Sequence, residues 1–265
     1  MNFDIIDDEL RTKALECMVY LEIPDYEKKP DNKPVHPINK QHLFQEISFL
    51  ADSSRKIAVD HHWHCMRLGI YSVMLMDYFG LENKEWRQKI FSAYFTHDAD
   101  KGAFVNQLSK DNISSEDLEK ISCHVSIFQG YKPFNDEDIG AIREQHHFHR
   151  DFNRYPKKLF FKQSPERKIA SQILGFFDAY DAASTRVNGR THKETGELEY
   201  ASADKIKSSI LKQYGNQSLF YVNDILFPID TSGKEFIELM FEKGFFKKEF
   251  PDETSRLNPF RNFQL

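Results

Sequence analysis

The sequence predicts an all-α fold, and three observations lead to this prediction. Apolar residues recur every three or four positions along most of the chain from residue 39 onward, which is the period of a helix packed on one face. Runs with the alternating pattern of a strand are short, and the best of them, 197–200 and 220–222, are expected to form no more than a small hairpin. The 265 residues include 24 Phe and 11 Tyr, which are enough for a large core.

Residues 1–38 are predicted to form a short helix followed by an extended arm. The helical period is carried by Leu10, Ala14, Leu15, Met18 and Val19. Residues 24–37 contain four prolines and many charges, a composition that is typical of a linker. We therefore place a boundary at residue 38 and assign residues 39–265 to one helical domain that ends in closing helices at its C-terminus.

The helical domain is predicted to begin with two apolar stripes, and the second of them carries polar residues. That second stripe consists of Ile57, Asp60, His64, Leu68, Tyr71 and Leu75. An aspartate and a histidine on a buried face need partners, because burying each one unpaired costs about 1–3 kcal/mol. Residues 86–95 then lead into His97-Asp98. Further helices are expected at about 114–129, 135–148, 163–184, 202–213 and 233–243.

The composition excludes several classes of protein. A net charge of −5 provides no general basic surface for a long nucleic acid, although a local basic pocket for a small phosphorylated ligand is compatible with it. Three cysteines do not form a disulfide framework. The acidic N-terminus lacks the pattern of a signal peptide, and no apolar run reaches the ~18 residues of a membrane span. We therefore expect a cytoplasmic protein with no membrane segment.

Histidines and aspartates recur in a pattern that suits metal binding. Asp60 and His64 are four residues apart, so their side chains leave one face of a helix. The remaining candidates are His97, Asp98, His124, His146, His147, Asp178 and Asp181. Imidazole and carboxylate ligands on separate helices are suited to two octahedral ions bridged by one carboxylate, and they favour Fe, Mn or Ni.

Each of these residues also has an ordinary structural interpretation. A single histidine is more often a core or surface side chain with satisfied hydrogen bonds, and we assign His61, His62 and His149 to that group. Asp178 alone is compatible with a helix-packing carboxylate. Cys65 and Cys123 lie beside His64 and His124, which raises a rival Cys/His zinc site. Adjacent helical residues diverge, however, and neither pair has the spacing of a zinc knuckle.

Taken in order, these motifs resemble the HD superfamily of metal-dependent phosphohydrolases and, within it, the HD-GYP family. The resemblance covers roughly half of the chain, from Asp60 to Arg190. The matching motifs are His64-Cys65-Met66-Arg67-Leu68 for His-x-x-Arg-Val, His97-Asp98-Ala99-Asp100-Lys101 for His-Asp-x-Gly-Lys, His124 with Gly130, residues 146–156 for His-His-Glu-x-x-Asp-Gly-x-Gly-Tyr-Pro, and Asp178-Ala179-Tyr180-Asp181-Ala182 for Asp-x-x-Asp-Ala.

The resemblance implies an antiparallel helical bundle of the HD type with a central metal site. It implies hydrolysis of a cyclic dinucleotide, such as cyclic di-GMP, by a hydroxide that bridges two divalent ions, with Fe or Mn the expected metals. Asp98 would bridge the ions. The implied ligands are His64, His97 and Asp178 for the first ion and His124, His146 and His147 for the second, with Asp60 available for a third.

The resemblance also implies roles for residues around the metals. Lys101 would face a phosphate oxygen, and Asp181 would orient a ligand. The candidates for contacts with the rest of the nucleotide are Arg154, Tyr155, Arg186 and Arg190, although a solvated arginine or a core tyrosine is an equal alternative for each of these four.

Departures from the family pattern leave alternatives for the substrate. Phe148 replaces a glutamate, and Phe152 and Arg154 replace two loop glycines of the motif. The runner-up function is therefore an HD phosphohydrolase that acts on other nucleotides, such as linear dinucleotides. A different class is a scaffold without catalysis that binds a cyclic dinucleotide or a protein partner, the latter through the altered Arg154-Tyr155-Pro156 loop.

Overall fold

The computed structural model describes residues 3–25, 38–51, 56–99, 101, 114, 116, 136–145, 164–185, 200–216, 218–219 and 231–265. Most of these residues are helical, which confirms the prediction of a mainly helical fold. The helices are α1 (Phe3–Tyr20), α2 (Lys40–Ala51), α3 (Lys56–Tyr78), α4 (Lys84–Thr96), α5 (Glu137–Gln145), α6 (Pro165–Thr185), α7 (Ala203–Tyr214), α8 (Gly233–Glu242) and α9 (Glu253–Leu257).

A short antiparallel pair of strands accompanies the helices. In it, β1 (Ser218–Leu219) pairs with β2 (Thr231–Ser232). The predicted hairpin between 197–200 and 220–222 falls on residues outside the described part, except for Tyr200, which is not in a strand. Four of the predicted helices agree with α5, α6, α7 and α8 to within about three residues at each end. The predicted helix at 114–129 lies outside the described residues apart from positions 114 and 116.

Helix α3 lies at the centre of the described structure. It packs against α1, α2, α4 and α6, and every residue from 61 to 73 is buried. A helix that is buried around its whole circumference needs neighbours on every side. The polar residues of this stretch must therefore find their partners inside the protein.

A glycine on α3 allows α4 to approach closely. A Cβ atom at Gly69 would lie 2.8 Å from Cδ2 of Phe95 and 3.2 Å from Phe91. Glycine inside a helix costs about 1 kcal/mol relative to alanine. Here it lets the two aromatic rings of α4 lie directly against α3, so that the end of α4 comes next to the middle of α3.

Helix α1 belongs to the same core as the rest of the bundle. Its buried residues are Ile6, Leu10, Ala14, Cys17 and Met18, and they belong to one apolar cluster with residues of α3 and α6. Leu15 and Val19, which the sequence pattern had included in the apolar stripe, are instead 39% and 62% exposed. Helix α1, which lies before the predicted boundary at residue 38, packs directly on α3.

Aromatic side chains close the C-terminal side of the bundle. Tyr180 of α6 stacks on Phe246, with ring centroids 4.1 Å apart, and Tyr71 of α3 meets Phe260 edge-on at 4.6 Å. The Tyr180 hydroxyl accepts a hydrogen bond from the backbone N–H of Lys247. The aromatic residues after α8 therefore pack on α3 and α6, and hold the C-terminal segment on the core.

Candidate metal centre

Four side chains converge at one buried point between α3, α4 and α6. His64, His97, Asp98 and Asp178 each offer a ligand atom, and these atoms all lie within 4.8 Å of one another. All four residues are buried, with Asp98 fully enclosed. This group, which we call the His/Asp cluster, could hold a metal ion.

Local structure explains how three separate elements supply these side chains. His64 lies in the middle of α3, and Asp178 lies in the second half of α6. Helix α4 ends at Thr96, with His97 as its C-cap, and the Asp98 carbonyl accepts a hydrogen bond from Lys101 N in the turn that follows. Adjacent residues in a continuous helix diverge by roughly 100°, so the helix end is where His97 and Asp98 can both serve one site.

The two histidines are held by hydrogen bonds at Nδ1. His64 Nδ1 lies 2.6 Å from Asp181 Oδ2, and His97 Nδ1 lies 2.8 Å from the Tyr94 carbonyl. A carboxylate and a carbonyl can only accept, so both Nδ1 atoms carry the hydrogen. In the neutral ring this leaves Nε2 as the lone-pair nitrogen, which is the tautomer that binds metals. The two Nε2 atoms lie 3.1 Å apart.

The two oxygens of Asp98 have different surroundings. Oδ2 accepts from Lys101 Nζ at 2.5 Å and from His61 Nδ1 at 3.2 Å. Oδ1 is buried, has no hydrogen-bond partner among the described residues, and lies 3.5 Å from His97 Nε2. Asp178 directs Oδ1 to His64 Nε2 at 3.0 Å. Lone pairs from both carboxylates and both imidazoles therefore point into one small space.

The protonation equilibria show that this space favours positive charge. Burial acts to raise the pKa of Asp98, but His97, Lys101 and His61 outweigh it and hold that pKa well below its ordinary value. Burial likewise opposes ionisation of Asp178, and His64 and His97 again hold its pKa well below normal. Burial disfavours a charged His97, yet the two aspartates raise its pKa. The two imidazoles and two carboxylates of the cluster therefore suit a divalent cation, which would take the place of the proton that His97 otherwise binds.

Asp181 connects the cluster to a buried arginine. Arg67 donates from Nε and Nη2 to the two oxygens of Asp181, both at 2.8 Å, while Nη1 donates to the Leu257 carbonyl at 3.1 Å. Burial acts against the charge on Asp181, but Arg67 and His64 lower its pKa to about 2. Asp181 thus stays ionised and fixes the ring of His64.

Several residues that the sequence predicted for the site either lie outside the group of four ligands or belong to the part of the chain that the structure does not describe. Asp60 is half-buried one turn before His64, is not part of the four-residue group, and contributes to raising the pKa of Tyr200, after burial and Glu253. Lys101 contacts the cluster through Asp98. The predicted site residues outside the described part of the chain are His124, His146, His147, Arg154, Tyr155, Arg186 and Arg190.

Two residues at the site were missed by sequence reasoning. His61 was assigned to the ordinary core or surface histidines, but it donates to Asp98. Arg67 was noted only as part of a motif, although it is 1% exposed and holds Asp181. Both lie three residues from His64, one on each side, and residues three apart share a helix face as residues four apart do. That spacing was a signal that could have identified them.

The thiol next to His64 does not compete for the metal. Burial raises the pKa of Cys65 to about 12, and the charge of Asp98 adds to the effect. A bound metal would itself deprotonate a coordinating thiol, so geometry decides, and among the described residues the ligand atoms that converge belong to two histidines and two aspartates and not to Cys65. The cluster is therefore an imidazole–carboxylate site.

Comparisons of the chain with models of protein families, with curated protein sequences and with solved structures found no match. Among the described helices, none combines the length and the apolar character needed to cross a membrane. A functional proposal therefore rests on the chemistry of the His/Asp cluster and on the motifs of the sequence.

Proposed function

We propose that this chain is a metal-dependent phosphohydrolase of the HD type, and specifically a phosphodiesterase that acts on a cyclic dinucleotide such as cyclic di-GMP. The observation that carries the proposal is the convergence of His64, His97, Asp98 and Asp178 on one buried point. Burying two carboxylates beside two imidazole lone pairs is unfavourable unless a cation lies between them. Hydrolysis of phosphate esters is a reaction to which such metal sites are well suited.

The ligand types support iron or manganese as the metal. Imidazole and carboxylate ligands suit these ions, and the group of four that converges among the described residues includes no cysteine. His64, His97 and Asp178 would hold the first ion, and Asp98 would be shared with a second. The other ligands proposed for the second ion are His124, His146 and His147. Asp60 would add a ligand if a third ion binds.

The residues of the chain would each have a defined task in the hydrolysis. A water oxygen bonds to phosphorus, and the ester oxygen leaves with a proton. When bound, divalent metal supplies Lewis acidity to the phosphoryl group and makes water a stronger nucleophile near neutral pH. Lys101 would stabilise negative charge on the phosphate. Asp181 and the Tyr94 carbonyl would keep the two imidazole rings oriented.

The choice of a cyclic dinucleotide is based on the order of motifs between Asp60 and Arg190. In this proposal the guanidinium groups of Arg154, Arg186 and Arg190 bind the phosphate that is not cleaved, because guanidinium suits bidentate contact with phosphate. Tyr155 stacks on a base. The loop Arg154-Tyr155-Pro156 is also the place where a protein partner would bind.

A second candidate function is hydrolysis of other nucleotides by the same metal site. The observation that favours it is the replacement of two loop glycines by Phe152 and Arg154. Bulkier residues in this loop would narrow the entrance for a compact cyclic ligand, whereas a linear phosphodiester could enter end-on. This alternative keeps the ligands and the chemistry and changes only the substrate.

The test is a metal count combined with a substrate panel. The protein would be purified without oxygen, its metals counted, and its products from cyclic dinucleotides and linear phosphodiesters identified by mass. We expect bound Fe or Mn and opening of a cyclic dinucleotide. Asp98→Asn should lose the metal and lower the rate by at least ~10²-fold, because the shared carboxylate is removed. Asp77→Asn, which changes an aspartate on the surface, is the matched control.

The outcomes separate the alternatives. Turnover of linear substrates alone would favour the second candidate function. Metal-free protein without turnover, in a sample shown to be folded by circular dichroism, would leave a binding scaffold and contradict the metal-dependent mechanism. Full activity of Asp98→Asn would also contradict it, since the loss of that ligand should lower the rate at least ~10²-fold.

A further inference from the structure

The orientation of Asp98 needs an explanation that the ligand set alone does not provide. A carboxylate at a metal site can turn either oxygen toward the ion. In Asp98 the two oxygens are already distinguished, because Oδ2 has two donors and Oδ1 has no hydrogen-bond partner among the described residues. Oδ2 also lies 3.8 Å from His64 Nε2, so its two donors, and not its distance from the cluster, are what leave Oδ1 as the oxygen open to an ion.

We propose that His61 is the positioning residue that turns Asp98 Oδ1 toward the metal. This inference rests on the proposed function, because it assumes that the His/Asp cluster holds a metal. His61 Nδ1 lies 3.2 Å from Oδ2, and since a carboxylate can only accept, Nδ1 is the donor. By satisfying Oδ2, His61 leaves Oδ1 as the oxygen that faces His97.

The location of His61 suits a fixed support. It lies on α3 within the stretch in which every residue is buried, and its side chain is 3% exposed. Its ring lies edge-on to that of His64, with centroids 6.2 Å apart. A side chain packed on a helix keeps its direction more strictly than one in a turn, so His61 is better placed than Lys101 to fix the carboxylate.

Lys101 shares the same oxygen but has another task in the proposed reaction. Lys101 lies in the turn that follows α4, and its Nζ donates to Asp98 Oδ2 at a distance of 2.5 Å. When that amine moves to a substrate phosphate, Oδ2 would be left buried without a donor if His61 were absent. His61 keeps Asp98 satisfied in both situations, so Lys101 can turn to the substrate without freeing the carboxylate.

His61 is not proposed as a metal ligand. Its Nδ1 donates to Asp98, which leaves the lone pair on Nε2 as in His64 and His97, so the tautomer alone does not exclude it. The geometry does, because His61 is not among the four residues whose ligand atoms converge. The effect on the metal that we propose for it is exerted through Asp98.

The test compares two amides that place a donor at different points of the lost ring. In His61→Asn the amide nitrogen occupies roughly the place of Nδ1, whereas in His61→Gln it reaches the place of Nε2. The two variants are similar in size and polarity, so they should fold comparably. His61→Leu removes the donor altogether. The control is His62→Leu, a neighbouring buried histidine that contacts Ile47 and Asp7 instead of Asp98.

The measurements are the visible spectrum of the Co²⁺-loaded protein and its Co²⁺ affinity from competition with a chelator. We expect His61→Leu and His61→Gln to bind Co²⁺ ~10–100-fold more weakly, which is the usual effect of losing a residue that supports a ligand, and to change the spectrum. His61→Asn should stay within about threefold of the parent protein, since its donor is retained. His62→Leu should leave both readouts unchanged.

The results distinguish failure of this inference from failure of the proposed function. If the parent protein binds Co²⁺ and all His61 variants match it in affinity and spectrum, His61 does not position Asp98 and only this inference is overturned. Equal weakening in His61→Asn and His61→Gln would overturn it as well. If the parent protein binds Co²⁺ with the expected pattern but hydrolyses no phosphodiester, the proposed function fails and the positioning role stands. A parent protein that binds no metal would overturn both.

Discussion

His62 and His64 lie two residues apart on α3 and are almost equally buried, yet their surroundings differ. His62 faces α1 and α2, where Nδ1 lies 3.3 Å from the Ile47 carbonyl and Nε2 lies 3.2 Å from Asp7. His64 faces α4 and α6, where its two nitrogens meet Asp181 and Asp178. Residues two apart on a helix point in nearly opposite directions, so each histidine meets a different set of helices.

The difference shows what separates a structural histidine from a ligand. On the His62 side there is one carboxylate, Asp7, which is 31% exposed and also accepts from Trp63 Nε1. His62 most of all, with help from Arg11, keeps the pKa of Asp7 below its ordinary value despite partial burial. On the His64 side a second histidine and two carboxylates share one enclosed space. On the His62 side His62 Nε2 has no hydrogen-bond partner among the described residues, but its carboxylate neighbour Asp7 reaches solvent. On the His64 side both carboxylates are enclosed, and a cation would compensate their charge.

The largest effect on stability is expected from removing Arg67, whose guanidinium pairs with Asp181 on the His64 side. Arg67→Met should lower the free energy of unfolding by about 3–5 kcal/mol, because Asp181 would be left buried with an uncompensated charge. The corresponding change on the His62 side, Arg11→Met, should stay within ~1 kcal/mol, since Arg11 is 43% exposed and 3.6 Å from Asp7. Urea unfolding of both variants measures the difference.

A companion variant checks the cause of that effect. The double change Arg67→Met with Asp181→Asn should recover part of the lost stability, because the buried charge is removed while the amide oxygen can still accept from His64 Nδ1. A double variant no more stable than Arg67→Met would mean that the arginine acts through packing instead of through charge.

The second effect concerns metal affinity and compares the two histidines directly. His64→Ala should weaken metal binding by about 10²–10³-fold, because a site with four ligands loses one of them. His62→Ala should leave affinity unchanged and lower stability by about 1–3 kcal/mol, since the Ile47 carbonyl and Asp7 lose a partner. Calorimetric titration with Mn²⁺ measures affinity, and thermal unfolding measures stability.

Equal losses of affinity in these two variants would remove the distinction between the two sides of α3. In that case the weakening would come from general damage to the helix. The comparison is informative because both substitutions remove the same side chain from the same helix at almost the same degree of burial.

The smallest effect is a pH dependence of metal affinity, which should come from the titrating groups of the His64 side. The pKa of His97 is raised above its ordinary value of about 6.5, so its protonated form stabilises the metal-free fold. That contribution is complete below about pH 6.5 and is lost as pH rises through the raised pKa. Asp98 and Asp178 have lowered pKa values, so they contribute above about pH 4 and lose this contribution as pH falls further.

A metal must displace the proton on His97, so its affinity should increase with pH. The increase should be up to ~10-fold per pH unit for each proton released, and it should level off above the raised pKa of His97. Measuring Mn²⁺ affinity between about pH 5.5 and 8.5 tests this expectation. His62→Ala should reproduce the same curve, and a flat curve in the parent protein would contradict competition between metal and proton.

Sequence patterns were sufficient to identify some parts of this arrangement and insufficient for others. The polar residues in the α3 stripe indicated a buried site around His64, because a helical period defines a face and a buried face restricts its polar members. His97-Asp98 stood at a predicted helix end, where α4 does end. Asp178 and Asp181 were recognisable as carboxylates within an apolar helix, which needs a compensating partner.

Other parts depend on contacts that no local pattern contains. The pairing of Arg67 with Asp181 joins residues that are 114 positions apart. The contact of His62 with Asp7 depends on how α1 lies on α3, and the same docking determines why Leu15 and Val19 face outward. Periodicity locates the apolar stripe of a helix but does not determine how wide its buried part is. The sequence therefore could not decide whether Leu15 and Val19, next to the buried Ala14 and Met18, are buried or exposed. The spacing of His61 from His64 placed it on the same side of α3, but its contact with Asp98 depends on where α4 ends.

The hydrogen bond from Arg67 to the Leu257 carbonyl has a consequence for the order in which the protein matures. Leu257 follows Arg67 by 190 residues, so the ribosome synthesises α3, α4 and α6 well before this acceptor. Until α9 docks, one donor of the arginine that holds Asp181 lacks its protein acceptor. Proteolytic loss of the chain after Asp252 would return a finished molecule to that state. Metal retention would then report whether the last helix is intact, although α9 contributes no residue to the His/Asp cluster.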